Sequence, residues 1–118
     1  MILLTENKSQ YWEEIIKLKP RLITSFSPIN ADKLRGLPLK IILHKQAWGK
    51  QPIPLPPQWE VKSNSKLHAK MVVGEKGVYI GSWNIGSQEL HEVGIITHDT
   101  NIIIELAEYF NTLWERSN

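Results

Sequence analysis

Leu67-His68-Ala69-Lys70-Met71-Val72-Val73-Gly74-Glu75-Lys76-Gly77-Val78-Tyr79-Ile80-Gly81-Ser82-Trp83-Asn84 reads as strand, tight turn, strand. Met71-Val72-Val73 and Val78-Tyr79-Ile80 are runs of β-formers on either side of Gly74-Glu75-Lys76-Gly77. Glu75-Lys76-Gly77 suits a three-residue hairpin loop, in which a type I turn is followed by a left-handed residue, usually glycine. That loop would pair Gly74 with Val78, Val72 with Ile80, Lys70 with Ser82, and His68 with Asn84. Side chains alternate between the faces of a strand. His68, Lys70, Ser82 and Asn84 would then share one face, with opposed Cβ atoms within about 5.5 Å. Leu67, Ala69 and Met71 would face the other way. A four-residue loop would shift the register by one and break the cluster.

The cluster has a chemical sense. With Glu92 it gathers an imidazole, an ammonium, a hydroxyl, an amide and a carboxylate within 25 residues, the groups needed to hold and attack a phosphodiester. Gly81 lets backbone come close to a phosphate, with the Ser82 amide as a donor, or it marks a bulge or tight corner in the strand. Asn84 offers both donors and an acceptor. Glu92, on or before a strand from Val93 to Thr97, could accept a hydrogen bond from His68 and fix its tautomer; the alternative is a plain surface carboxylate.

His68-x-Lys70 with Gly81-Ser82-x-Asn84 resembles the paired motif of the phospholipase D superfamily, and chance would give such a match in roughly one chain in ten thousand of this length. The resemblance covers the hairpin well and the rest of the chain, to Trp114, more loosely. It implies a mixed α+β fold of the α/β kind, a mixed β-sheet flanked by helices. It implies a metal-independent phosphodiesterase, with His68 as the nucleophile that forms a phosphohistidine, Lys70 and Asn84 binding the phosphate oxygens, Ser82 assisting, and Glu92 orienting His68. No metal or other cofactor is implied. Neutral imidazole is a competent nucleophile near neutral pH, and fixed donors stabilise the charge that develops in the transition state.

Such chemistry needs a second histidine as general acid on the leaving oxygen. The chain has one H-x-K motif, and the smallest bacterial members of the superfamily pair two identical chains, so a two-fold homodimer with the active site across its axis is expected. The superfamily pattern places four residues and an aspartate after H-x-K, then six residues before G-S-x-N. Here Glu75 holds the aspartate position and five residues precede Gly81. By the hairpin register Glu75 lies in the turn, away from the catalytic face.

Around the hairpin, Tyr11, Trp12, Ile15, Ile16 and Leu18 suggest an amphipathic helix stopped by Pro20. Leu22 to Phe26 and Lys40 to His44 read as short buried strands. Between them Ser27-Pro28 starts a helix that Gly36 ends. Pro52, Pro54, Pro56 and Pro57 make residues 47–58 an irregular loop, a stiff wall beside the cleft or a proline-rich ligand for another domain. Trp48 and Trp59 bracket it, either to anchor it by packing or to stack on bases. Ile102, Ile103, Leu106, Phe110, Leu113 and Trp114 follow helical spacing behind Asp99 or Thr100 as cap, and that helix is core packing. His44 could line the cleft; alternation exposes His91 and turns Trp83 toward the core. His44, His91 and His98 show no metal-ligand spacing.

Length and composition set the outer bounds. A chain of 118 residues is one domain, residues 1–118, with 42% hydrophobic and 22% charged residues, ordinary for a globular protein. Without cysteine there is no disulfide framework and no thiolate metal site. The apolar run at Ile2-Leu3-Leu4 is too short for a signal peptide, and nothing approaches the roughly 20 residues of a membrane span. A cytoplasmic location without membrane attachment is the expectation. The net charge of +2 permits a polyanionic partner. Lys40, Lys45, Lys50, Lys62, Lys66 and Lys70 meet only Glu60 in the middle of the chain, as a solvated surface or as a phosphate-facing patch. The sum of these readings is a nuclease acting on DNA or RNA. A phospholipase D-type lipid hydrolase, and a non-catalytic nucleic-acid-binding module that retains the phosphate pocket, stand as alternatives.

Overall fold

The computed structural model describes residues 1–5, 11–25, 31–44, 56–82 and 92–118. Within them lie seven strands: β1 (Ile2–Thr5), β2 (Pro20–Ser25), β3 (Lys40–Leu43), β4 (Glu60–Ser63), β5 (Met71–Gly74), β6 (Val78–Gly81) and β7 (Val93–Thr97). Three helices accompany them: α1 (Tyr11–Lys17), α2 (Ala31–Leu34) and α3 (Thr100–Glu115). The strands form one mixed sheet in the order β1-β7-β6-β5-β2-β3-β4. β2, β3 and β4 are parallel, and every other neighbouring pair is antiparallel.

Strand alternation sorts the apolar residues into two cores. Ile23, Ile41, Leu43, Val72, Tyr79 and Ile96 pack with Ile15 of α1 and Leu34 of α2 on one face. Ile42, Leu67 and Met71 pack with Phe110 of α3 on the other. The sheet is therefore sandwiched between helices, the arrangement expected from the sequence. Asp99 caps α3, its side chain accepting from the amides of Asn101 at 2.8 Å and Ile102 at 3.3 Å. Pro20 opens β2 directly. α1 ends before it through Lys19, which takes a left-handed conformation with φ 53°. Ser27, Pro28, Trp48, Trp83, Asn84 and His91 lie outside the described residues.

The hairpin register differs from the sequence reading. Met71 pairs with Ile80, Val72 with Tyr79 and Val73 with Val78. Four residues, Gly74 to Gly77, thus separate the last ladder pair, and Lys70 comes opposite Gly81 rather than Ser82, its carbonyl accepting from the Gly81 amide at 3.2 Å. The cause is tertiary. The turn amides of Glu75 and Lys76 donate to the carbonyls of Lys19 and Leu18 at 3.1 and 3.0 Å. Gly74 lies so close to Leu18 that a Cβ there would stand 2.1 Å from its carbonyl oxygen. The end of α1 dictates the turn, and local loop preference yields to it.

Candidate active site

At one end of the sheet, the termini of β2, β3, β4 and β6 meet the beginnings of β5 and β7. Ser25, His44, Ser82 and Glu92 gather at this end, and the chain from Asn64 to Lys70 crosses it to reach β5. His68, Ala69, Lys70, Met71, Ile80, Gly81 and Ser82 line a depression of about 440 Å³ there, walled by Leu106 and Tyr109 of α3. His68 is exposed and Lys70 half-buried, with the Lys70 ammonium 3.5 Å from the His68 carbonyl.

His68, Lys70, Gly81 and Ser82 therefore come together as expected, but by a route other than strand alternation. Residues 67–70 are not strand, so the pleat does not constrain them. Thr24 holds them instead. Its fully buried hydroxyl donates to the Ala69 carbonyl at 2.8 Å and accepts from the Met71 amide at 3.1 Å. That clamp fixes the backbone on both sides of Lys70 while Leu67 and Met71 sink into the α3 core.

Ser82 and Gly81 also carry structural duties in the sheet. The Ser82 amide donates to the Val93 carbonyl at 2.9 Å, so it is taken by the sheet. The Ser82 hydroxyl accepts from the Val93 amide at 3.0 Å and donates to the Val93 carbonyl at 3.2 Å. Ser82 thus pins the start of β7, where half-buried Glu92 stands beside the depression rather than in its lining. Gly81 has a packing reason to lack a side chain: a Cβ there would lie 2.4 Å from the Tyr79 hydroxyl, and one at Gly94 would lie 2.4 Å from the same ring. Tyr79 is fully buried between them.

His44 is buried at the end of β3, its amide donating to the Ser25 carbonyl at 3.2 Å, and it does not line the depression. Trp59 is buried and donates its indole N–H to the Leu37 carbonyl at 2.9 Å, which makes it an anchor. The lysine group divides. Lys40 and Lys62 sit over the Trp114 ring, 5.3 and 4.6 Å from its centroid, and Lys62 also donates to the Trp114 carbonyl. Lys66 remains exposed. Among the described residues no three His, Cys, Asp or Glu side chains gather as a metal site, and no helix is long and apolar enough to cross a membrane.

NucT from Helicobacter pylori has a similar fold, with a TM-score of 0.75 at 17% identity over 98% of this chain and 96% of that one. Nuc from Salmonella typhimurium, a phospholipase D family member, gives 0.71 at 14% identity over 99% of this chain and 96% of its own. The fold is phospholipase D-like. TrmBL2, an archaeal chromatin protein with a novel mode of DNA binding, matches 99% of this chain at a TM-score of 0.72 and 16% identity, through 52% of its own length. No family model matches the sequence, and no curated protein matches it. Within this phospholipase D-like fold the departure at Glu75 is remote from the depression. Glu75 sits in the turn at the opposite end of the hairpin, 2.8 Å from the guanidinium of Arg21.

Thr24, Leu106 and Tyr109 escaped the sequence reading as parts of the site. A hydroxyl inside the apolar run Leu22-Ile23-Thr24 was the available signal for the first, since a buried polar group must find a partner. The helix residues carried no such mark.

Proposed function

We propose that the protein is a nuclease that hydrolyses DNA or RNA without a metal ion, through a phosphohistidine on His68. The observation that carries this reading is the H-x-K pair, with His68 and Lys70 lining one depression at the sheet end of a phospholipase D-like fold. In the first step an imidazole nitrogen of His68 attacks phosphorus and the bond to the leaving oxygen breaks. Lys70 and Asn84 hold the non-bridging oxygens, and a second histidine gives the leaving oxygen its proton. In the second step that histidine takes a proton from water, the water oxygen bonds to phosphorus, and the phosphorus–nitrogen bond breaks. Glu92, positioned through the Ser82–Val93 bonds, orients an imidazole.

The second histidine is His68 of the partner subunit in a two-fold homodimer. A row of apolar residues supports this assembly. From Met71 beneath α3, the register runs outward through Ile80 and Ile95 to Leu3, which are 46%, 43% and 50% exposed, and Val93 adds to the same face. Ile80 lines the depression as well, so a copy seated on this face would lie beside the site.

Labelled single- and double-stranded DNA and RNA, incubated in excess EDTA with wild type and His68→Ala, test the proposal. Cleavage by wild type alone is expected; equal cleavage by both would refute it. A non-catalytic DNA-binding role is the second reading, because the chromatin protein TrmBL2 shares the fold. It predicts binding with no cleavage by either form. Co-sedimentation with phospholipid vesicles would point to a lipid hydrolase instead.

A further inference from the structure

Helix α3 and the segment from Asn64 to Lys70 enclose a second depression, in line with the first. It measures about 360 Å³ and is lined by Asn64, Ser65, Lys66, Leu113, Arg116 and Asn118. The helix supplies Leu106 and Tyr109 to the first depression and Leu113 to the second, where its C-cap residue Arg116 joins it. Residues 106, 109, 113 and 116 fall on one stripe of an α-helix. On the facing wall, Lys66 lies two residues before His68. The same helix and the same crossing segment therefore border both depressions.

Their separation follows from the helix. Seven residues separate the 106/109 pair from the 113/116 pair, which at 1.5 Å per residue is about 10 Å. A nucleic-acid strand carries a phosphate about every 3.4 Å of axial rise when stacked, so about three nucleotides span that distance.

Two cationic residues, Lys66 and Arg116, line the second depression. Among the described residues, the side chains of Lys66 and Arg116 are engaged in no ion pair or hydrogen bond. The carboxylates of α3 itself, Glu105, Glu108 and Glu115, are exposed and line neither depression. The negative end of the helix dipole also points here, but two of its last carbonyls are occupied. The Leu113 carbonyl accepts from the Arg116 amide and the Ser117 hydroxyl, and the Trp114 carbonyl from the Ser117 amide and the Lys62 ammonium. The cations of Lys66 and Arg116 are left to face an external anion.

We propose that Lys66 and Arg116 form a second phosphate subsite, which holds the backbone of a single nucleic-acid strand about three nucleotides from the bond facing His68. The proposal rests on the reading that His68 and Lys70 face a phosphodiester. It makes the substrate a polymer and leaves a lone phosphodiester headgroup without a use for the second depression.

The test is binding of fluorescein-labelled single-stranded oligonucleotides by anisotropy, in a His68→Ala background that prevents cleavage. Lys66→Ala/Arg116→Ala is compared with Lys33→Ala/Lys76→Ala, which removes the same charge from exposed positions on α2 and in the β5–β6 turn. The subsite variant should bind a twelve-nucleotide strand about ten-fold more weakly at low salt. Its slope of log affinity against log salt should fall by about 1.4, two contacts at about 0.7 each for single strands. Dinucleotide binding should not change, nor should hydrolysis of bis(p-nitrophenyl) phosphate when the same substitutions are made in protein that keeps His68. Equal slopes and affinities for both variants would overturn the proposal, as would tighter dependence on these two residues for inorganic polyphosphate than for the oligonucleotide. Lys66→Gln/Arg116→Gln, which keeps side-chain bulk, serves if the alanine variant melts early. Absence of any hydrolysis would sink the catalytic reading and leave the binding comparison to decide the subsite.

Discussion

Replacing Thr24 with valine removes one hydroxyl and keeps the shape, so it isolates the clamp on residues 69–71. The lost hydroxyl leaves the Met71 amide, buried in the sheet, without its acceptor. An orphaned buried donor costs about 1–3 kcal/mol. The Ala69 carbonyl loses its donor too, but its residue is half-buried and water can replace part of that bond, for about 0.5 kcal/mol more. The sum is about 1.5–3.5 kcal/mol. For 118 residues, an unfolding entropy of about 2.1 cal/mol/K per residue gives about 0.25 kcal/mol/K, so Tm should fall by about 10 °C. Thr24→Ser keeps both bonds and loses one buried methyl, about 1 kcal/mol and about 4 °C. The assay is thermal unfolding followed by circular dichroism, at one fixed protein concentration because the Tm of the proposed dimer would depend on it. Turnover should fall further for valine than for serine, since the backbone carrying His68 and Lys70 loses its fastening. A valine variant as stable as wild type, or less damaged than the serine variant, would refute the clamp.

Four other substitutions have expected outcomes. Gly81→Ala and Gly94→Ala should each destabilise by about 1–3 kcal/mol through overpacking against Tyr79; in urea denaturation, Tyr79→Phe should restore part of the loss at Gly81, where the clash is with the hydroxyl, and little at Gly94, where it is with the ring. Asp99→Ala removes the α3 cap and should cost about 1 kcal/mol in the same experiment. Glu75→Gln weakens a half-exposed pair with Arg21 and should change stability by less than about 1 kcal/mol, with turnover on oligonucleotides unchanged.

Much of this architecture is legible locally. The strands around the 74–77 turn, the strand from Val93 and the Asp99-capped helix announce themselves through β-branched runs, apolar helical spacing and a capping side chain. The two strands that went unread, β1 and β4, are the two edges of the sheet. Glu60-Val61-Lys62-Ser63 has a single apolar residue, because an edge strand half open to water needs no more. The hairpin register was not legible, since partners some 56 residues away at Leu18 and Lys19 settle it. His68, Lys70 and Ser82 still converge, because the segment bearing the first two leaves the pleat and is tied down by Thr24. A one-residue slip would have scattered them in a regular ladder.

In the proposed reaction His68 bonds to phosphorus and releases it to water. The most direct measurement is the stereochemical course at phosphorus, using an oligonucleotide with one chiral phosphorothioate cleaved in isotopically labelled water. Two successive in-line displacements predict net retention of configuration. Net inversion would mean that water attacks the diester directly, and would contradict a nucleophilic role for His68.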